Sequence, residues 1–176
     1  MSLAARVVVD ASVLIVLAKL RCIHILHAVY GTVLLGPVVH HEVVIQGRRL
    51  HARGVEQVEQ ALEESWLEVV RPTTGEQKLT VRLLRTTRLD DGEAEALALA
   101  SRRKVLLAVD DKEARHIAEA LGIAYIGTAG VLLEAYLRQH LTLDGLEDRL
   151  TDLTKVLWLS PTVVAAVLKK AREAKQ

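Results

Sequence analysis

The stretch that decides the fold spans residues 92–110 and reads GEAEALALASRRKVLLAVD. Its first part predicts a helix that begins with acidic residues, which the positive end of the helix dipole favours. Its second part, residues 105–109, is a continuous apolar run, which is typical of a strand buried on both faces. The stretch therefore predicts a helix that leads into a central strand of a parallel sheet, with Asp110 at the carboxyl end of that strand.

The same alternation of helices and apolar strands extends outward over the chain. The predicted strands are residues 6–10, 30–35, 67–70, 105–109 and 123–126. The predicted helices are residues 13–20, 23–29, 37–46, 55–65, 76–86, 92–103, 112–121, 128–140, 143–156 and 161–175, with a polar loop at 47–54. The predicted helix caps are Ser12, Asp90 or Asp91, Asp111, Thr128 and Ser160. This order predicts an α/β fold whose mainly parallel sheet is covered by helices on both faces.

Composition is that of one globular domain with an aliphatic core. The chain has 176 residues, of which 51% are hydrophobic but only 3% aromatic, and it contains no Phe. The core must therefore be built from Leu, Val, Ile and Ala. The formal net charge is only +1, so any basic surface for nucleic acid has to be local.

The single cysteine and the absence of a long apolar run predict a cytoplasmic location. Cys22 cannot form an internal disulfide, and its apolar surroundings favour the role of a small buried hydrophobe. No run approaches the roughly 18 apolar residues that a membrane span needs. The first residues show no basic region followed by an apolar one, so no signal peptide is predicted.

Four acidic residues stand where apolar runs end or where a helix faces inward: Asp10, Glu42, Glu93 and Asp110. A carboxylate beside a buried strand is costly unless its charge is compensated. If the fold brings the four together, they form an oxygen-rich pocket suited to Mg²⁺ or Mn²⁺. The chemistry of such a pocket is metal-assisted hydrolysis of a phosphodiester.

Structural interpretations of the same residues stay open. Asp10 follows a strand and can equally cap the next helix. Glu93 and Glu95 lie in a first helical turn, where the dipole alone favours carboxylates. The other catalytic patterns are weaker, because the sequence from His41 to Ile45 lacks the second histidine of the zinc protease motif. The sequence of residues 127–130, GTAG, is better explained by the start of a helix than by a phosphate loop.

The order and spacing of these segments resemble the PIN-domain family of nucleases. The particular similarity is to a prokaryotic branch that includes the toxin ribonucleases of VapBC-type toxin–antitoxin systems. The matching segments are VVDASVLI at 8–15, GPVVHHEV at 36–43, LDDGEAEALALA at 89–100, LLAVDD at 106–111 and GIAYIGTAGVLL at 122–133. The resemblance covers residues 6–135, and the tail from residue 156 resembles the helical extension of this branch.

The resemblance implies a three-layer α/β/α domain and a role for each acidic residue. It implies a PIN-like nuclease domain at residues 1–140 and a C-terminal helical extension at 141–176, packed on the same domain. Asp10, Glu42, Glu93 and Asp110 are implied to be the catalytic and metal-binding carboxylates, supported by Ser12 and Asp111. Two departures put catalytic efficiency in question: many members have Thr where this chain has Ala108, and the turn at 101–104 is about one residue short.

The function that the resemblance implies is a Mg²⁺- or Mn²⁺-dependent ribonuclease, the toxin of a toxin–antitoxin pair. Basic side chains must then hold the RNA backbone, and the candidates are Arg48, Arg49, Arg53, Arg82, Arg85 and Arg88. The helices of residues 55–88 are expected either to cover the sheet or to bind an antitoxin or a second copy in a homodimer. Two other functions stay open: a metal-binding recognition module without cleavage, and a DNA-directed nuclease.

Overall fold

The computed structural model describes residues 6–174, and within them five parallel strands form one sheet. The strands are β1 Arg6–Val9, β2 Thr32–Leu35, β3 Leu67–Val69, β4 Leu106–Ala108 and β5 Tyr125–Ile126. Their order across the sheet is β3-β2-β1-β4-β5. In the centre, Val8 of β1 pairs with Leu34 of β2 on one side and Leu107 of β4 on the other. The predicted α/β class with a parallel sheet is confirmed.

Helices connect every pair of consecutive strands and form a C-terminal group. They are α1 Ala11–Lys19, α2 His24–Tyr30, α3 Pro37–His40, a π-helical segment His41–Gln46, α4 Gly47–Arg49, α5 Val55–Glu63, α6 Thr74–Thr86, α7 Asp91–Arg103, α8 Lys112–Ala120, α9 Thr128–Leu137, α10 Leu143–Val156 and α11 Pro161–Glu173. Each predicted helix corresponds to one of these. The last residue of the predicted helix 161–175 lies outside the described residues.

The alternation of side chains along β1 divides the core into two layers. Val7 and Val9 belong to a cluster with residues of α1, α2, α9, α10 and α11, whereas Val8 belongs to a cluster with residues of α7 and α8. All three valines are fully buried. Successive strand residues face opposite sides of a sheet, so helices must cover both. The structure is therefore the three-layer α/β/α arrangement that the resemblance implied.

The C-terminal helices pack on the same core as the helices before them. Leu146, Leu150 and Leu153 of α10 and Val167 and Ala171 of α11 are buried in the cluster that also contains α9. A side chain of this size stabilises the fold by about 1.5–3 kcal/mol when it is fully buried. Helices α10 and α11 are thus part of the same hydrophobic core as Val7 and Val9 of β1.

The helices of residues 55–88 cover the sheet with their apolar faces. Val58 of α5 and Leu83 of α6 are buried, and Leu62 and Leu79 pack against the two clusters. Of the two interpretations that the sequence left open, these side chains fit the covering role. The exposed parts of α5 and α6 are mostly polar or charged, apart from Val81 of α6, which is 48% exposed.

Two predicted caps are wrong, and one helix is irregular. Asp10, and not Ser12, is the N-cap of α1, because its carboxylate accepts from the Ser12 amide. Gly127, and not Thr128, precedes α9, because the Thr128 hydroxyl donates elsewhere. The helix predicted at 37–46 becomes π-helical after His40 and continues into the predicted loop as far as Arg49. A side chain at Gly47 would collide with the Val55 side chain. The glycine therefore lets the helix continue past residue 46 while it packs against α5.

Membrane-spanning potential is low along the described residues. Within 6–174 no single helix is both long and apolar enough to cross a bilayer. The apolar helices α1 and α2 reach the required length only together, and they are bent by 120° relative to each other. Cys22, in the turn between them, is buried as predicted, and burial raises the pKa of its thiol to about 11.

Candidate metal centre

Acidic side chains gather at the edge of the sheet where the parallel strands end. Asp10 directly follows β1, and Asp110 lies two residues after β4. Helix α3, which leads into the π-helical segment with Glu42, begins two residues after β2. Parallel strands all end at the same edge, and ligands of open α/β sheets bind there. The topology therefore places these elements around one region.

Asp10 is the most buried of these carboxylates. Its side chain is only 3% exposed and accepts hydrogen bonds from the Ser12 amide at 3.1 Å and the Ser12 hydroxyl at 2.7 Å. Burial raises the pKa of Asp10, the Ser12 bonds oppose that rise, and the charge of Asp90 adds to it. The hydrogen bonds from Ser12 thus offset only part of the free-energy cost of removing this carboxylate from water.

Ser12 connects the ends of the two central strands. Besides donating to Asp10, its hydroxyl oxygen accepts a hydrogen bond from the Asp110 amide at 3.3 Å. The Asp10 amide in turn donates to the Ala108 carbonyl at 3.0 Å. The backbone at Asp110 is therefore held close to the carboxylate of Asp10.

Glu42 faces the same region from the π-helical segment. It is half-buried, and burial together with the charges of Asp90 and Asp10 raises its pKa. Its Oε2 atom lies 3.6 Å from where a Cβ of Gly92 would stand, so it contacts the first turn of α7. π-helical turns often occur at functional sites, because they shift a side chain out of the regular helical spacing.

Glu93 and Asp90 form a reciprocal cap at the start of α7. The Glu93 amide donates to Asp90 at 2.8 Å, and the Asp90 amide donates to Glu93 at 2.9 Å. Burial raises the pKa of Glu93 to about 7, with contributions from the negative charges of Asp90, Asp111 and Asp10. The negative charges that raise the pKa of Glu93 thus come from its own helix cap, Asp90, and from two other segments of the chain, at Asp10 and Asp111.

These contacts define a carboxylate cluster, which consists of Asp10, Glu42, Asp90, Glu93 and Asp111. Three of its members, Asp10, Glu42 and Glu93, were predicted as metal-binding residues, and all three have a raised pKa. Within residues 6–174, no Lys or Arg forms an ion pair with any member of the cluster. The cluster therefore carries negative charge that the protein does not neutralise.

Asp110 is bonded differently from the cluster. Its carboxylate accepts from the Thr128 amide at 2.9 Å, from the Thr128 hydroxyl, and from Arg115 at 3.0 Å. A side chain at Gly127 would collide with both Arg115 and Asp110, so the glycine makes this arrangement possible. Sequence reasoning missed Thr128 and Arg115. The only signal was the GTAG segment, which was explained as the start of a helix.

Glu95, which lies outside the cluster, and Asp111, which belongs to it, both have structural roles. Glu95 is buried and accepts a hydrogen bond from the Val38 amide at 2.9 Å, which stabilises the start of α3. A side chain at Gly36 would overlap with this carboxylate, so only glycine fits there. Asp111 caps α8 by accepting from the Ala114 amide at 2.9 Å, as predicted, in addition to its place in the cluster.

The candidate RNA-binding arginines lie on the surface in different settings. Arg48 forms an ion pair with Glu59, whereas Arg49, Arg82 and Arg85 are exposed. Arg53 lines a polar cleft of about 540 Å³ together with Lys19 and Arg21. That cleft shares Lys19 and Arg53 with a groove that Glu42 also lines. A local basic surface thus leads toward the cluster, although the chain has almost no net charge.

The donor set suits a hard divalent cation, although its side chains are not arranged around one. In the described part of the chain, no three His, Cys, Asp or Glu side chains form a ready coordination shell. Several of the carboxylate oxygens are instead used in caps, as at Asp10 and Glu93. Clustered carboxylates without a cation repel each other, and oxygen ligands of this kind are those that Mg²⁺ and Mn²⁺ prefer.

Comparison with known sequence families agrees with this fold. Residues 6–173 match the family DUF3368, described as a PIN domain. The chain therefore belongs to the PIN-domain family. PIN domains are generally nucleases and typically use divalent metal ions. No curated protein sequence matches the chain.

Proposed function

We propose that this PIN domain is a Mg²⁺- or Mn²⁺-dependent endoribonuclease whose carboxylate cluster binds the metal. The observation that carries the proposal is the uncompensated charge of the cluster at the carboxyl edge of the sheet. Without a cation, burial raises the pKa values of Asp10, Glu42 and Glu93, and repulsion from the negative charge of Asp90 adds to each rise. A divalent ion removes that repulsion and holds the carboxylates ionised.

Asp10, Glu42, Glu93 and Asp110 are the proposed ligands, with Ser12 and Asp111 in support. An ion held by these residues would supply Lewis-acid chemistry, lowering the pKa of a water nucleophile and offsetting charge on the phosphoryl oxygens. Ser12 holds the Asp10 carboxylate in one orientation through two hydrogen bonds. Thr128 and Arg115 already offset the charge of Asp110, so Asp110 is the ligand that gains least from the cation.

The proposed substrate is RNA, and the proposed setting is a toxin–antitoxin pair in the cytoplasm. The basic cleft of Lys19, Arg21 and Arg53 supports binding of a phosphate backbone next to Glu42. Arg49, Arg82 and Arg85 add exposed positive charge, while the ion pair of Arg48 makes it the weakest candidate. The toxin role, an antitoxin partner and a homodimer rest on the resemblance to VapBC-type toxins. A small DNA-binding antitoxin encoded next to this gene would support that role.

Cleavage of a mixed RNA pool tests the proposal. We expect the purified chain to cleave RNA with Mn²⁺ or Mg²⁺, and both EDTA and Asp10→Asn to abolish cleavage. When several residues act as a unit, replacing any one of them removes nearly all of the activity. The matched control is Glu119→Gln, an exposed residue of α8. Equal cleavage in EDTA contradicts the metal mechanism. Cleavage of DNA alone would indicate a DNA-directed nuclease, and metal binding without cleavage would indicate a recognition module.

A further inference from the structure

Trp158 is an unusually exposed aromatic residue next to the candidate site. It lies in the short connection between α10 and α11, and 86% of its surface is accessible. No other large hydrophobic side chain in residues 6–174 is as exposed. A large apolar surface in water is unfavourable for a folded chain, and exposed aromatic residues mark binding surfaces more often than other exposed residues do.

The cleft beside this tryptophan reaches the edge of the sheet. It has a volume of about 430 Å³, and Trp158 shares its lining with Asp110, Lys112, Arg115 and Gly127. Glu42 follows β2, whereas Asp110 follows β4, on the other side of β1. The Trp158 cleft therefore adjoins the carboxylate region on the side opposite the groove that Glu42 lines.

The charged residues of the cleft are suited to an anionic ligand. Lys112 is exposed, and within residues 6–174 it forms no ion pair. Arg115 is paired with Asp110, yet its side chain remains 37% exposed. An aromatic platform next to an available cation is the combination that binds single-stranded nucleic acid, since bases stack on the ring and phosphates contact the cation.

We infer that the Trp158 cleft is a nucleotide subsite in which a base of single-stranded RNA stacks on Trp158 while Lys112 contacts a neighbouring phosphate. This inference rests on the proposed function, because it extends the path of the substrate strand beyond the metal centre. A flanking nucleotide held there positions the strand across the carboxylates. An apolar protein partner explains the exposed ring equally well but does not explain the unpaired cation beside Asp110.

Fluorescence of Trp158 tests the subsite separately from cleavage. The chain contains only two tryptophans, so Trp66→Phe leaves Trp158 as the single reporter. The full chain also carries Asp10→Asn, and EDTA is present, so that no cleavage occurs. The probes are a single-stranded RNA oligonucleotide, the same sequence as a duplex, and inorganic polyphosphate, which carries charge but no bases.

We expect the single strand to quench Trp158 emission, and the duplex and the polyphosphate not to. Trp158→Ala, compared in a fluorescence-independent binding assay, should weaken RNA binding at least about fivefold, while Trp158→Phe should retain most of the affinity, because any aromatic face stacks. Lys112→Ala should weaken binding and reduce its salt dependence. The matched control is Lys104→Asn, which removes a charge at the opposite edge of the sheet and suits the left-handed backbone there.

Three results overturn the subsite: no RNA binding, unchanged Trp158 emission at saturating RNA, and equal affinity of wild type and Trp158→Ala. A shift of Trp158 emission with protein concentration alone would assign the ring to contact between copies of the chain and also overturn it. A chain that binds RNA through Trp158 but never cleaves it would instead contradict the proposed function. The two failures are therefore distinguishable.

Discussion

At the scale of single residues, Asp10 is both a helix cap and a member of the carboxylate cluster. It caps α1 through Ser12. The sequence left a cap and a metal-binding carboxylate as alternatives. The structure shows the cap, which uses Oδ2, and the same carboxylate lies close enough to Asp90 for its charge to raise the pKa of Asp10. An Asp10→Asn substitution keeps a good capping side chain while removing the charge.

The raised pKa of Glu93 predicts how stability depends on pH. Its pKa moves from 4.5 to about 7 on folding, so its protonation stabilises the folded state fully below pH 4.5, and that stabilisation is lost as pH rises through about 7. We expect the free energy of unfolding in EDTA to fall over this range. Glu93→Gln, which retains a capping side chain, should flatten the fall.

Urea denaturation at a series of pH values measures this effect. Glu119→Gln on the exposed face of α8 is the control, and it should follow the wild-type curve. An identical pH dependence in Glu93→Gln and wild type would show that Glu93 does not titrate abnormally in the folded chain.

At the scale of elements, buried polar contacts fix the helices that frame the site. Glu95 of α7 accepts from the Val38 amide and so joins α7 to the start of α3. Glu76 of α6 is only 2% exposed and binds Arg103 of α7 at 2.8 Å. Since α3 leads into the segment with Glu42 and α7 begins with Glu93, these contacts set the positions of two cluster residues.

Glu76 is predicted to contribute strongly to stability. Burial opposes its charge, but hydrogen bonds from Arg103 and Thr73 outweigh burial and lower its pKa below 4.5. Its contribution is therefore present above pH 4.5 and is lost as pH falls through the lowered value. We expect Glu76→Ala to reduce the free energy of unfolding by about 2–3 kcal/mol at neutral pH, because Arg103 and the Thr73 amide lose their acceptor.

Chemical denaturation near pH 7 checks this value against Glu119→Ala, for which a change within about 0.5 kcal/mol is expected at an exposed position. If Glu76→Ala is as mild as that control, the contact with Arg103 does not hold α6 against α7.

The elements could be predicted from the sequence because their signals are local. Apolar runs and helical spacing identified all five strands and the helices between them. Competition between polar groups was not predictable: Ser12 and Thr128 have the residue types of caps, but each donates to a carboxylate instead. The bond from Thr128 to Asp110 joins residues 18 positions apart, and only the folded sheet brings them together.

The candidate site was predictable in part for the same reason. Apolar runs that end in Asp10 and Asp110 indicated the edge of the sheet, and the inward face of a helix indicated Glu42. Asp90 was recognised only as a cap, whereas Asp111 was recognised as a cap and as a supporting residue of the site. The contribution of Asp90 to the cluster depends on how α7 approaches β1, which the sequence does not show. The π-helical turn at Glu42 could not be predicted, because the spacing of apolar residues there also fits an ordinary α-helix.

At the scale of the whole molecule, charge is separated within a nearly neutral chain. The net charge is +1, yet the cluster concentrates unpaired carboxylates while Lys19, Arg21 and Arg53 line a neighbouring cleft. A negatively charged cluster next to basic surfaces is the arrangement that the proposed function needs to hold a cation and a phosphate backbone side by side. The parallel sheet produces it by ending β1, β2 and β4 at one edge.

The claim that the carboxylate cluster binds a divalent cation is tested most directly by the melting temperature in Mn²⁺. A ligand that binds only the folded state stabilises it by mass action. We predict that Mn²⁺ at pH 7.5 raises the melting temperature of the wild-type chain relative to EDTA, and that Asp10→Asn removes most of the rise while Glu119→Gln retains it. An unchanged melting temperature in the wild type, or an equal rise in Asp10→Asn, would contradict the claim.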